Sequence, residues 1–240
     1  MLQDALLTQR DLLRNQQPFS YDPTRDRVIV IVEPRSGHGM LEAVVRNAVW
    51  STGGEWNVHI FTHDIDYVRS LFPGCSLRLT AMEDDSISTQ EYSDLFLSQD
   101  FWEAIPEENI LVIQTDVIML RKAHILESFM GFAYSGANYY NPGHCPVSGA
   151  GVQGGFSLRK KGCMLRCLNE VQEYKNMPED VFFTFACLRL GLPLPPVGMR
   201  RVFAIECEYF DMPLAIHAYD RGLLPDWLIA ILYEKSELPR

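Results

Sequence analysis

The chain has 240 residues, 47% of them hydrophobic and 22% charged, with a formal net charge of −10. That length suits one domain of ample core, or one domain with an appendage. The acidic balance argues against nucleic acid as main partner, since its binders cluster Lys and Arg, and no apolar run approaches the ~18–20 residues that span a bilayer.

Residues 2–15 carry Leu2, Leu6 and Leu13 at roughly helical spacing, followed by a polar, proline-containing linker through Asp26. They predict an amphipathic helix that docks on the domain or on a second subunit. Asp4, Gln9, Arg10 and Asp11 interrupt any signal core here. Arg27 to Val32 (R-V-I-V-I-V) is the first core strand. It ends at Glu33-Pro34-Arg35-Ser36-Gly37-His38-Gly39, with no GKS and no GxGxxG, so the P-loop and dinucleotide fingerprints are absent. A helix follows over about Met40 to Trp50, and Trp56 to Phe61 alternates as a second strand. Asp64-Ile65-Asp66 has the form of a metal-binding D-x-D, but Thr62 followed by acids is also how a helix starts. Leu77 to Leu79 predicts a third strand, and Tyr92, Phe96, Phe101 and Trp102 in the acidic stretch 83–108 read as core-facing.

Asn109 to Arg121 (N-I-L-V-I-Q-T-D-V-I-M-L-R) is the central stretch. Ile110 to Ile113 reads as a strand buried on both faces. Asp116 then stands between two apolar runs, where an acid is costly to bury unless it is hydrogen-bonded or holds a cation. It is either a turn residue capping the next segment or a ligand at the carboxyl end of a strand. Ala123 to Met130 predicts a helix and Phe132 to Gly136 a strand. Asn138 to Gly151 is a long turn-rich loop that carries Tyr139 and Tyr140. Gly154-Gly155 entering a strand suggests close approach of the backbone to a ligand or a neighbouring segment. Lys160 to Tyr174 predicts a helix, and Pro178-Glu179-Asp180 begins the next. Val202 to Glu206 predicts a strand, and Pro213 to His217 leads into an acidic, aromatic tail. Six dispersed cysteines (Cys75, Cys145, Cys163, Cys167, Cys187, Cys207) contain no CxxC pair. Cys163 and Cys167, one helical turn apart, read as buried thiols. A reducing, cytoplasmic compartment is the simplest expectation, with a trimmed luminal fragment as the other.

The ordered set V-E-P-R (32–35), N-V-H-I-F (57–61), I-Q-T-D (113–116), G-G-F-S-L-R (154–159), E-D-V-F-F (179–183) and Ile216-His217 resembles a glycosyltransferase family of the GT-A fold, long catalogued only as a domain of unknown function. Its G-G-F-S…E-D order is also similar to that of the β-galactosyltransferases. The match covers most of residues 27–220. It implies an α/β, Rossmann-like domain over 27–240, with a mostly parallel, twisted central sheet flanked by helices. Residues 1–26 would be an N-terminal helix and linker.

The implied function is metal-dependent transfer of a sugar from a nucleotide-diphosphate sugar to a glycan or other hydroxyl acceptor, with inversion. Asp116 and His217 would hold Mn2+ or Mg2+, hard cations suited to oxygen ligands. Gln114 stands where the family's D-x-D has its first acid, which would weaken the metal site. Val32, Glu33, Arg35, Gln114, Thr115, Gly154 and Gly155 would bind the donor, with Arg35 as a planar partner for base or phosphate. Asp180 would take the acceptor's proton, with Glu179 as substitute or as acceptor-orienting group. A helix N-terminus lowers a carboxylate's pKa and so opposes that role unless burial offsets it. Three other readings stay open: a sugar-nucleotide pyrophosphorylase, a retaining transferase, and a non-catalytic sugar-nucleotide or glycan-binding module.

Overall fold

The structure, a computed structural model, describes residues 7, 10–14, 18–138, 152–219 and 221–239. Its main sheet is built from β1 (Arg27–Val32), β2 (Asn57–Thr62), β3 (Arg78–Ala81), β4 (Asn109–Ile113), β6 (Tyr134–Asn138) and β7 (Val152–Lys160). Across the sheet the order is β3-β2-β1-β4-β7-β6. Strands β1 to β4 are parallel, and β7 is antiparallel to both β4 and β6, so it alone runs against the rest. The mostly parallel α/β sheet expected from the continuous apolar runs is therefore present.

Alternation along β1 splits the core in two. Ile29 and Ile31 face one layer with helix α1 (Leu41–Ser51), whose Leu41, Val44, Val45 and Ala48 are buried. Val28, Val30 and Val32 face the other, with α3 (Thr89–Phe96), α4 (Gln99–Glu103), α5 (Lys161–Glu170) and α6 (Glu179–Arg189). Strand order reverses at β1, which lies between β2 on one side and β4 on the other, all three parallel. The carboxyl ends of β1 and β4 thus flank the crevice where ligands bind in open α/β sheets.

A smaller sheet, β5 (Val117–Met119), β9 (Ala215–His217) and β8 (Ala204–Ile205), lies in that strand order. Val117 pairs antiparallel with His217, and Ile205 pairs parallel with Ile216. This sheet carries the segment after Asp116 and presents the late histidine beside it.

Several local expectations shift. The strand predicted over Val202–Glu206 starts only at Ala204, because Pro196 opens helix α7 (Val197–Phe203), which drives Phe203 into the core. The third strand runs from Arg78 to Ala81, two residues beyond the apolar Leu77–Leu79 run. The helix expected from Ala123 is present over Ala123–Phe129 and is of the 3-10 type, while α5 ends at Glu170. The tail contains α8 (Asp226–Glu234), with Leu228, Ile229 and Leu232 buried. Asp64 does cap a helix, α2 (Ile65–Leu71): its side chain accepts from Tyr67 N at 2.9 Å, while Asp66 is exposed. In the N-terminal extension, residues 10–14 are helical, Leu13 is buried in the core and Arg14 pairs with Glu42, so this part docks on the domain itself. The loop through Gly151, with Tyr139, Tyr140 and Cys145, lies outside the described residues, as do Leu2 and Leu6. Cys167 is buried as expected, 3.9 Å from Cys187 Sγ to Sγ, and Cys163 is half-buried. No helix among the described residues is long and apolar enough to cross a membrane.

Candidate active site

A concave cavity of about 580 Å³ opens at the β1/β4 crevice. That volume lies within the range of small-molecule sites. Of the residues singled out from the sequence, Val32, Glu33, Arg35, Gln114, Thr115 and Asp116 line it. Glu33, almost fully buried, accepts from Arg35 Nε and Nη2, both at 2.7 Å, and from the Thr115 hydroxyl at 3.1 Å. The two-pronged bond braces the planar guanidinium against the loop after β1 and ties that loop to the end of β4. Glu33 thus spends its acceptors on protein, whereas half of Arg35 remains open to the cavity.

Asp116 sits one residue before β5. Its Oδ2 accepts from Arg221 Nη2 at 2.8 Å, while Oδ1 is buried with no hydrogen-bond partner. His217 Nε2 lies 3.6 Å from that Oδ1 and 3.1 Å from Gln114 Oε1. The antiparallel pairing of Val117 with His217 places Asp116 and His217 together, although 101 positions separate Asp116 from His217 (217 − 116). Ala218, directly after, adopts a left-handed φ of 53°, unusual for a residue with a side chain. Beyond this bend Tyr219 and Arg221 reach the cavity wall.

The paired glycines approach protein rather than open space. A Cβ on Gly155 would overlap the His217 imidazole and the Gln114 amide oxygen, and one on Gly154 would overlap the Glu179 carboxylate. Any side chain at either position would push the site apart.

Behind them stands Arg159, fully buried on β7. Its Nη1 donates to Glu179 Oε2 at 2.6 Å and its Nη2 to Oε1 at 3.0 Å, while Nε donates to Ser157 Oγ at 2.8 Å. The guanidinium also lies near the rings of Tyr134 and Phe96, 4.6 and 5.0 Å to their centroids, which favours a desolvated cation. Glu179 is therefore committed to an ion pair that anchors the first turn of α6. Removing one partner of a buried pair leaves an uncompensated charge. Arg159→Met is expected to cost about 3–5 kcal/mol of stability, readable by urea denaturation. A loss within experimental error would mean the pair does not hold the helix.

Asp180 follows on α6, its Oδ1 accepting from Val181 N at 2.8 Å. Burial, then the Glu179 charge, pushes its carboxyl up to about 7, against the pull of the Val181 bond and Arg159. The lowering expected from the helix N-terminus is thus overridden. The shift has a sign for stability. A carboxyl raised in the fold contributes stability present below its unfolded pKa near 4 and lost as pH climbs through about 7. Asp180→Asn, fixed neutral, is expected to melt a few degrees above wild type at pH 8 and to converge with it near pH 4. Melting curves that stay parallel across that interval would exclude the shift.

Glu206, Arg221, His38, Tyr219, Tyr92 and the segment Ser86–Thr89 were not singled out from the sequence as site residues. Burial pushes Glu206 up to about 7, with Asp116 adding and Arg221 opposing. Burial lowers His38, partly offset by Glu33, and raises the Tyr92 phenol. Only Glu206 left a trace in the chain, an acid closing an apolar V-F-A-I run as Asp116 closes another.

Among the described residues no three His, Cys, Asp or Glu side chains form a group that could hold a metal. The convergent set here differs in kind: one carboxylate oxygen, one imidazole nitrogen and one amide oxygen, from Asp116, His217 and Gln114. Cations such as Mg2+ are commonly held by one or two carboxylates plus substrate phosphates. A buried carboxylate oxygen without a donor beside an imidazole nitrogen fits that role.

The fold is GT-A-like, and three solved structures share it. Mouse xyloside xylosyltransferase 1 superposes with a TM-score of 0.57 at 12% identity, over 84% of this chain and 100% of that one. The apo-form glycosyltransferase GlyE of Streptococcus pneumoniae gives 0.51 at 13%, over 88% and 63%. A mannosyltransferase from Pyrobaculum calidifontis, in complex with GDP-Man and Mn2+, gives 0.50 at 14%, over 80% and 61%. At these identities the likeness is one of fold. No curated protein sequence matches. The chain belongs to the DUF5672 family, described as a protein of unknown function, which matches residues 76–217.

Proposed function

We propose that the chain transfers a sugar from a nucleotide-diphosphate sugar to a hydroxyl acceptor, assisted by Mn2+ or Mg2+ and with inversion. The observation that carries this reading is the buried, unpartnered Asp116 Oδ1, grouped with His217 Nε2 and Gln114 Oε1 at the mouth of the crevice. The mannosyltransferase of the same fold, solved with GDP-Man and Mn2+, supports it as an analogue.

In this reading Val32, Glu33 and Thr115 form the wall under the nucleotide, and Arg35 offers its open face to base or phosphate. Gly154 and Gly155 leave room for the Glu179 carboxylate and the His217 ring, which a side chain at either glycine would displace. Asp180 accepts the acceptor's hydroxyl proton while the new C1–O bond forms and the C1–O bond to phosphate breaks, its electron pair leaving with the nucleoside diphosphate. Asp116 and His217 would hold the cation, which when bound would supply Lewis-acid neutralisation of that departing charge. Glu179, held by Arg159, positions the helix turn on which Asp180 sits.

The test is a thermal-shift screen of nucleotide sugars with and without Mn2+. A donor at a hundred times its Kd adds about 2.7 kcal/mol, which for a chain of this size is roughly 5–11 °C in Tm. No shift with any donor and metal would end this reading.

The Arg221–Asp116 pair favours a second reading, in which the guanidinium supplies the positive charge and no cation is needed. Nucleoside-diphosphate binding would then survive EDTA and be lost in Arg221→Ala.

A further inference from the structure

The metal reading above leaves Glu206 without a role, and its setting is unusual. The residue is 7% exposed, and its Oε2 is buried with no hydrogen-bond partner. A carboxylate is an expensive way to fill space. Were packing its only task, an apolar side chain would serve at lower cost. Register explains where it points. Ile205 on β8 pairs in parallel with Ile216 on β9, so Glu206, the residue that follows β8, emerges beside His217, the last residue of β9. Glu206 Oε1 accordingly lies 3.7 Å from His217 Nδ1. On the other side of the ring, Nε2 faces Asp116 Oδ1 at 3.6 Å and Gln114 Oε1 at 3.1 Å. The imidazole is thus bracketed, carboxylate behind and candidate ligand group in front.

Imidazoles that ligate a cation through one nitrogen commonly present the other N–H to a carboxylate, which fixes ring orientation and tautomer. From this arrangement we propose that Glu206 is a positioning residue for His217: it takes the Nδ1–H, so that the Nε2 lone pair is turned toward the cation held with Asp116. The inference rests on the metal reading and adds a residue that neither the family match nor the fold assigns. Tightening from 3.7 Å to hydrogen-bond distance requires a side-chain shift of less than 1 Å. Since O and N of an amide are interchangeable by rotation, Gln114 can accommodate either state of Nε2.

The experiment uses the full chain and Mn2+ alone. Mn2+ affinity is measured by electron paramagnetic resonance titration, and ligation by the nitrogen coupling in electron spin-echo spectra. Wild type is expected to bind with a nitrogen coupling that His217→Ala removes. Glu206→Leu, which lacks an acceptor, is expected to weaken Mn2+ binding about 10–100-fold and to lose the coupling. Glu206→Gln keeps an acceptor oxygen and is expected to retain both. A merely structural role would lower the Tm of both variants without this split. Wild-type affinity and an undiminished coupling in Glu206→Leu would overturn the inference.

A second measurement covers the case in which Glu206→Leu does not fold. In Mg2+-saturated wild type, nitrogen-15 correlation spectra should show the His217 proton on Nδ1, and a proton on Nε2 would overturn the inference equally. Failure of the underlying reading looks different: wild type binds no Mn2+, or binds it without any nitrogen coupling.

Discussion

Asp116→Asn is expected to abolish the strengthening of nucleoside-diphosphate binding by Mn2+ and to lower transfer by roughly two to three orders of magnitude. The size follows from the chemistry of the leaving group. Neutralising a departing diphosphate contributes several kcal/mol to the transition state, and about 1.4 kcal/mol corresponds to a tenfold rate change. Asn keeps the volume of Asp and one acceptor oxygen but removes the charge. It also releases Arg221, which pairs with Asp116 at 2.8 Å, so any residual metal-independent binding through that guanidinium should persist. Isothermal titration of a nucleoside diphosphate with and without Mn2+, on both proteins, makes the comparison. Equal, metal-independent affinity in the two would remove Asp116 from the metal site and favour the guanidinium reading instead.

Asp180→Asn is expected to leave donor binding intact while transfer falls about 10²–10⁴-fold, the usual loss when a general base is removed. Burial raises the Asp180 carboxyl to about 7, which suits a base working near neutrality. Wild-type kcat should therefore rise through a pH near 7, and the residual rate of the variant should lack that inflection. The same substitution is expected to stabilise the fold above neutral pH, since a buried charge is removed. A variant that is more stable and inactive is the pattern expected where a site is held against the fold's own preference. Normal turnover by Asp180→Asn would show that the acceptor's proton goes elsewhere.

Much of this was legible along the chain because the signals were local. Continuous apolar runs marked β1 and β4 as strands buried on both faces. An acid closing the second run marked Asp116, and paired glycines marked a close approach. At Asp64 the D-x-D form and the helix start were both readable, and the helix start holds: Asp64 is the N-cap, its oxygen satisfied by Tyr67 N. The two-residue strand β8 and the helix before it were misread, because a span so short has no periodicity of its own and takes its conformation from its neighbours.

The order of amino acids alone, then, determined a mostly parallel sheet, an acid following its central strand and an acid pair opening a late helix. Tertiary structure decided which groups meet and in what state. Only the pairing of β5, β9 and β8 brings Asp116, His217 and Glu206 into one row. Only the closed core around Arg159 commits Glu179 to an ion pair and leaves Asp180 beside it with a raised pKa. Helix position by itself would have lowered that pKa; desolvation outweighs it, and desolvation is a property of everything packed around a residue rather than of its place in the chain.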